Sequence, residues 1–103
     1  MKKLSSKTWN EVTTGTAVVD FWSSGCGPCL RMAPALDGLS LEYEDQKITF
    51  GKLNVEDDET GIFTSFGVNA VPTLVILKDG KEISRKVGLQ SEAELRKWID
   101  SNK

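Results

Sequence analysis

Two cysteines, Cys26 and Cys29, are the residues of this chain best suited to chemistry, because only two residues separate them. The chain has no other cysteine and no histidine. Without histidine it has no Ser-His or Cys-His catalytic pair and no imidazole ligand for a metal ion. A Cys-x-x-Cys pair in this setting indicates either thiol–disulfide exchange or part of a metal site.

The metal interpretation requires more ligands than this chain offers. Zinc and iron–sulfur sites need about four ligands, so one would have to form between two chains. That site stays open as an alternative, as does a cysteine pair with no chemical role. The redox interpretation needs no further ligand, because the electrons reside in the dithiol itself. We therefore expect no metal and no bound cofactor, only a redox-active disulfide between Cys26 and Cys29.

The residues around the pair predict which cysteine attacks. Positions 17–22 form an apolar run that predicts a buried strand, and turn residues follow it as far as Pro28. A helix that opens at or near Cys26 places its sulfur beside unpaired N–H groups, which lower the pKa of such a thiol. Cys26 is the predicted attacking thiol, and Cys29, one turn later, is the predicted resolving thiol. Gly27 allows a tight turn, and Pro28 suits a helix start that needs no N–H.

Two charged residues lie on the predicted strands near the cysteines. Asp20 interrupts the apolar run, and a buried carboxyl has a raised pKa and can accept a proton, here from Cys29. The plainer alternative is an aspartate on the exposed face of an edge strand. Lys52 can balance Asp20 from the next strand, although the residues alone favour a solvent-facing lysine. Val71-Pro72 precedes another strand, where the bond can be cis or trans.

The elements that must position these residues alternate along the chain. Helices are predicted at 8–12, 29–44, 56–66 and 91–103, and strands at 17–22, 48–55, 73–77 and 82–87. Ser5 or Ser6 is the candidate cap of the first helix, and Ser91 with Glu94 predicts a capping box. The early alternation requires parallel strands, and an Asp-Gly turn between the last two strands requires an antiparallel edge. The predicted fold class is α/β, with a central mixed β-sheet and helices on both faces.

Composition limits the partners and the setting of the chain. Its 103 residues suit one domain, residues 1–103, and its net charge of −2 gives no basic field for nucleic acid or anionic membrane. No run approaches the roughly 20 apolar residues of a membrane span. The basic N-terminus is not followed by the apolar stretch of a secretory signal. We expect a cytoplasmic monomer, with the mature form of a cleaved precursor left open.

Several short motifs, in order and over nearly the whole chain, resemble those of the thioredoxin family. They are Val19-Asp20-Phe21-Trp22, Cys26-Gly27-Pro28-Cys29, Ala33-Pro34, Lys52-Leu53-Asn54-Val55, Val71-Pro72-Thr73, Asp79-Gly80 and Val87-Gly88. The resemblance implies the thioredoxin fold, with the dithiol at the start of the second helix. It also implies a protein-disulfide reductase and electron carrier, with thioredoxin reductase as electron donor and disulfide-containing proteins as substrates.

The resemblance also assigns roles to residues outside the cysteine pair. It implies that Asp20 is a carboxyl buried behind the cysteines and that Lys52 lies near it. It implies that Pro72 is cis and packs against the dithiol. Val71 would then offer backbone hydrogen bonds to an extended substrate segment, together with the loop at Gly88.

Two positions beside the cysteines depart from the family pattern. The residue before the first cysteine is usually tryptophan and here is Gly25, which with Gly27 and Pro28 would border the substrate. The residue after the second cysteine is commonly basic and here is Leu30, a lost charge that Arg31 can offset. Gly25 favours an alternative function, a partner-binding or chaperone module of the same fold with little redox turnover. A disulfide-forming or isomerising enzyme outside the cytosol is a third possibility, and the Gly-Pro dipeptide between the cysteines favours the reductase.

Overall fold

A five-stranded mixed sheet runs through the centre of the computed structural model, which describes all 103 residues. The strands lie in the order β1-β3-β2-β4-β5. Their bounds are Lys2–Leu4 for β1, Thr16–Trp22 for β2, Thr49–Asn54 for β3, Thr73–Lys78 for β4 and Lys81–Val87 for β5. Strands β1, β3 and β2 are parallel, whereas β4 pairs antiparallel with both β2 and β5. The predicted mixed sheet is confirmed.

The burial of each strand follows its sequence. Strands β2 and β4 have five consecutive buried residues each, because helices or loops cover both faces of the central sheet. Strand β5 has no buried residue and carries charged side chains, as suits an edge strand that must not pair with other chains. Strand β2, which leads to the cysteines, therefore lies in the best-covered part of the sheet.

Three α-helices and three short 3₁₀ helices connect the strands. The α-helices span Gly27–Glu42 for α1, Ile62–Ser65 for α2 and Glu92–Asn102 for α3, and the 3₁₀ helices span Trp9–Val12, Glu44–Gln46 and Val55–Asp57. The predicted capping box of α3 is confirmed, since the Ser91 N–H donates to Glu94 Oε1 at 3.1 Å and the Glu94 N–H donates to Ser91 Oγ at 3.1 Å. None of the helices combines the length and the apolar character needed to cross a membrane.

Separate hydrophobic cores lie on the two faces of the sheet. Helices α1 and α3 contribute to the first core, whose members are Val18, Met32, Leu36, Leu39, Tyr43, Ile48, Phe50, Leu74, Ile76, Leu95, Trp98 and Ile99. The second core consists of Leu4, Val12, Ala17, Val19, Phe21, Leu53, Val68, Val75 and Leu77, with side chains of α2 packed against it. Helices therefore cover both faces, as predicted.

The first predicted helix is a single 3₁₀ turn, and its predicted caps are wrong. The turn covers Trp9–Val12, and its N-cap is Thr8, which makes no side-chain capping bond. Neither Ser5 nor Ser6 caps it. Instead the Ser5 N–H donates to Thr8 Oγ1 at 2.9 Å, so the serine belongs to the turn that precedes the helix.

The prediction of one helix at 56–66 is also wrong, because two short helices lie there instead. One is the 3₁₀ helix Val55–Asp57, and the other is the four-residue α2. Gly61 between them has a φ of 71°, outside helical geometry. The Asp58 carboxylate accepts a hydrogen bond from the Phe63 N–H at 2.8 Å. This bond satisfies a free N–H group in the first turn of α2. A glycine and a capping aspartate thus outweigh the helical spacing of the apolar residues.

Strand β1 was not predicted, because it has only three residues and one apolar side chain. It pairs in parallel with β3, and Leu4 is buried over the centre of that strand. A Cβ atom added to Gly51 would lie only 2.6 Å from Leu4 Cδ1. The glycine therefore provides the space in which the leucine packs.

Candidate active site

The loop between β2 and α1 places Cys26 at the start of α1. Cys26 is the N-cap of α1, with an extended backbone of φ −95° and ψ 109°. The Cys29 N–H donates to Cys26 Sγ at 3.1 Å, so the sulfur occupies the place of the side-chain oxygen that usually caps a helix. Gly27 and Pro28 form the first turn, as the sequence predicted. The helix therefore opens at the cysteine pair.

The two cysteines are joined in a disulfide and differ in exposure. Their Cα atoms are 5.2 Å apart. Cys26 is half-buried, whereas Cys29 is 2% exposed. A reagent that approaches from solvent therefore meets the sulfur of Cys26 first.

The helix start favours a negative charge on Cys26 once the disulfide is reduced. The sulfur lies at the positive end of the 16-residue α1 and already accepts one backbone N–H. The first turn of α1 contains no acidic residue that would oppose that charge. The thiolate is the form that attacks disulfides, so the geometry suits a nucleophile.

Asp20 is buried in the central strand, and the interpretation of an exposed edge residue is wrong. Strand β2 lies between β3 and β4, and Asp20 is 4% exposed. Its Oδ1 atom has no hydrogen-bond partner. Burial raises the pKa of Asp20 to about 7, and the charge of Lys52 lowers it in part. This carboxyl can therefore gain or lose a proton near neutral pH.

Lys52 lies beside Asp20, as the resemblance implied. The two residues are direct neighbours in the parallel register of β2 and β3. The lysine is half-buried rather than solvent-facing, and its Nζ lies 5.4 Å from the centroid of the Trp22 ring. No carboxylate forms an ion pair with it. The ring and the half-buried site hold the ammonium close to the carboxyl, where it favours the ionised form.

The loops before β4 and after β5 complete the site. The Val71–Pro72 peptide bond is cis, as the resemblance implied, and the Val71 carbonyl oxygen lies 3.8 Å from Cys26 Sγ. The Gly88 N–H donates to the Pro72 carbonyl at 2.8 Å and links the two loops. Neither the N–H nor the carbonyl of Val71 bonds to another backbone group. The chain thus leaves a free backbone edge next to the Cys26 sulfur.

Gly25 leaves an opening beside Cys26. It is exposed, its φ is not positive, and a Cβ atom added there would meet nothing within 4 Å. At Gly27 an added Cβ would lie 3.4 Å from Arg31 Nη1. Neither backbone conformation nor packing therefore requires glycine at position 25.

Glu56 anchors the loop that precedes the dithiol, a role the sequence did not reveal. Its Oε1 accepts hydrogen bonds from the Ser24 N–H at 3.0 Å and the Ser24 hydroxyl at 2.8 Å. These bonds lower the pKa of Glu56. The two residues are 32 positions apart, but each follows the end of a strand, and the parallel strands β2 and β3 end at the same edge of the sheet. That shared edge was the only signal in the sequence.

Comparisons with known proteins agree over the whole chain. The thioredoxin family model matches residues 1–101. A thioredoxin of Chlamydia caviae is 37% identical over 103 residues, covering 99% of this chain and 98% of that protein. A thioredoxin of Rhodospirillum rubrum is 35% identical over 105 residues and 99% of both. The X-ray structure of Fasciola hepatica thioredoxin superposes with a TM-score of 0.87 at 33% identity and covers 100% of both chains.

The chemistry of the site points the same way as these comparisons. The two cysteines form a disulfide at the start of a helix. No group of three or more histidine, cysteine, aspartate or glutamate residues is placed to hold a metal ion. The chain therefore belongs to the thioredoxin family, and it is a dithiol–disulfide oxidoreductase that works with its own cysteines and without a cofactor.

Proposed function

We propose that this chain reduces disulfide bonds of other proteins, with Cys26 attacking and Cys29 resolving, and that thioredoxin reductase returns it to the dithiol form. The unequal exposure of the two cysteines carries this proposal. Cys26 reaches solvent at the helix start, whereas Cys29 is 2% exposed and can act only on the mixed disulfide that Cys26 has already formed.

The reaction takes place in two exchanges. The Cys26 thiolate attacks one sulfur of the substrate disulfide, that S–S bond breaks, and one substrate thiolate leaves and takes up a proton. The Cys29 thiolate then attacks the Cys26 sulfur of the mixed disulfide and releases the second substrate thiolate. Two electrons have passed to the substrate, and the chain is left with the Cys26–Cys29 disulfide of the structure.

Asp20 is the group we assign to take the proton of Cys29. Alternate residues of a strand share a face, so Asp20 faces the same side as Val18, which packs in the core with α1. Cys29 is one of the buried residues of α1. With a pKa of about 7, Asp20 accepts a proton at neutral pH, and Lys52 favours its ionised form.

The free backbone edge at Val71 is the place we assign to an extended substrate segment. Its N–H and carbonyl can pair with the substrate backbone as an added strand does. At Gly88 the N–H donates to the Pro72 carbonyl, and the Gly88 carbonyl accepts a long bond of 3.5 Å from Gln90 Nε2. A substrate N–H would use the second lone pair of that carbonyl oxygen. Gly25, Gly27 and Pro28 would border the substrate from the other side. A cavity of about 220 Å³ opens beside Val71, and its lining is apolar except for one asparagine: Val55, Phe63, Val68, Asn69, Ala70 and Val71.

Reduction of insulin with dithiothreitol as electron source tests this proposal. The wild type should accelerate the reaction, and both Cys26→Ser and Cys29→Ser should abolish turnover. Cys29→Ser should also accumulate a covalent mixed disulfide with insulin, which Cys26→Ser cannot form. If Cys26→Ser traps the mixed disulfide instead, the assigned order of attack is wrong.

The opening at Gly25 supports a second candidate, a partner-binding module with little turnover. If the chain is such a module, a variant with both cysteines changed to serine keeps its partner binding and its biological activity. If the chain is a reductase, the same variant loses its biological activity. We further propose that residues 1–103 act as one domain, as a monomer in the cytoplasm. Light scattering of the purified chain tests the monomer, and fractionation of cells tests the compartment.

A further inference from the structure

Arg31 is the only one of the three arginines that has no carboxylate partner. Arg85 forms an ion pair with Glu82 at 2.6 Å, and Arg96 forms one with Glu42 at 2.7 Å. No ion pair and no hydrogen bond involves the exposed side chain of Arg31. Its charge is therefore not needed to hold the fold together.

The guanidinium of Arg31 lies over the residue that follows Cys26. Its Nη1 atom lies 3.4 Å from the position of a Cβ on Gly27, the residue that follows Cys26. The side chain thus turns back over the first turn of α1. A cation is disfavoured at that end of a helix, and the first turn offers no acidic residue to offset it.

None of the residues that adjoin the two cysteines on the chain carries a negative charge. The exposed residues next to Cys26 and Cys29 on the chain are glycines and a leucine, Gly25, Gly27 and Leu30. The carboxylate of Glu56, in the 3₁₀ helix after β3, accepts two hydrogen bonds from Ser24 and forms no ion pair with Arg31. The guanidinium is therefore free to pair with an anion carried by the molecule that reacts.

We propose that Arg31 is a specificity-determining residue that selects disulfides flanked by carboxylate groups. This inference rests on the proposed function and names the class of disulfide that the dithiol reduces fastest. A carboxylate about 6 Å from the guanidinium in water is favoured about threefold per unit charge. Salt screens such an interaction at the surface, so the preference disappears at high ionic strength.

Two small aromatic disulfides separate recognition from general reactivity. Dithiobis(nitrobenzoate) carries two carboxylates and dithiodipyridine carries none. Each takes two electrons from the dithiol and yields two coloured aromatic thiols, while the Cys26–Cys29 disulfide forms. The chain is first reduced with dithiothreitol and freed of it, and the second-order rate constant is measured for each probe.

Arg31→Gln removes the charge, and Arg31→Lys keeps it. Lys78→Gln is the matched control, because Lys78 is also exposed and loses the same charge far from the site. Lys78 pairs with Thr16 at the start of β2, whereas Trp22 at its end leads to the cysteines. Six residue-to-residue steps along the strand separate its two ends by about 20 Å, which exceeds the screening length of about 8 Å at physiological salt.

The proposed role of the Arg31 charge predicts a specific pattern of rate constants. Arg31→Gln should lower the ratio of the anionic to the neutral rate constant about three- to tenfold, in line with one or two carboxylates near the guanidinium. Arg31→Lys and Lys78→Gln should keep most of the ratio, and about 1 M NaCl should remove the difference between wild type and Arg31→Gln.

Two results would overturn the inference. If Arg31→Gln slows both probes equally, the arginine acts on the Cys26 thiolate and not on the substrate. If it changes neither rate, the guanidinium has no part in the reaction. The proposed function fails in a different way, because then the wild-type chain itself does not accelerate insulin reduction.

Discussion

Asp20→Asn should change how stability depends on pH, because the carboxyl is buried without a hydrogen-bond partner for one oxygen. Burial moves its pKa from 3.8 to about 7. At 1.36 kcal/mol per pH unit, that difference corresponds to about 4 kcal/mol of folding free energy. Asparagine has nearly the same shape and no charge to bury.

The direction follows from which state holds the proton. Below pH 3.8 both the folded and the unfolded chain are protonated at Asp20, and burial has no ionic cost. Between 3.8 and about 7 only the folded chain keeps the proton, so wild-type stability falls as pH rises. Above pH 7 the full loss of about 4 kcal/mol is present in the wild type. The difference in unfolding free energy between Asp20→Asn and the wild type should therefore be about 4 kcal/mol more favourable to the variant there than at about pH 4.

Guanidinium unfolding of the oxidised proteins at about pH 4 and pH 8 measures this difference. Asp37→Asn is the control, since Asp37 is an exposed residue of α1 and loses the same charge without a change in burial. The difference in unfolding free energy between Asp20→Asn and the wild type could instead be the same at both pH values to within about 1 kcal/mol. In that case ionisation of the buried carboxyl does not destabilise the fold, and the reasoning is refuted.

Three other substitutions test the packing and the loop. Gly51→Ala should destabilise the chain by about 1–3 kcal/mol in guanidinium unfolding, because the new methyl group meets Leu4 at 2.6 Å; an unchanged midpoint would contradict that contact. Leu39→Ala, at a site with no exposed surface, should cost about 2–5 kcal/mol, and a loss below this range would mean that the core collapses around it. Glu56→Ala should slow insulin reduction severalfold with little change in unfolding, whereas Glu59→Ala should not, and equal rates for both would remove the loop anchor from the mechanism.

Strong local patterns account for most of the fold that the sequence predicted. Strands β2 and β4 are apolar almost throughout, and such runs are buried wherever they pair. The start of α3 has a serine and a glutamate at capping distance, so its boundary depends on neighbouring residues alone. Elements with a signal confined to a few adjacent residues were therefore predictable.

Contacts between distant segments account for what could not be predicted. Strand β1 exists because Leu4 finds space over Gly51, which no pattern in three residues reveals. The hydrogen bonds from Ser24 to Glu56 likewise depend on two strands ending at one edge of the sheet. Asp20 shows both sides of this limit. Its place in an apolar run left both a buried and an exposed edge position open, and only the strand order showed that β2 is central.

The burial of Cys29 also determines how the reduced chain withstands oxidants. Peroxide that reaches the site converts the half-buried Cys26 to a sulfenic acid, and a lone sulfenic acid can be oxidised further to forms that thiols do not restore. Cys29, shielded at 2% exposure, lies one turn away and condenses with it to the disulfide and water. The damage therefore ends in the same oxidised state that ordinary turnover produces, and the next round of reduction repairs it.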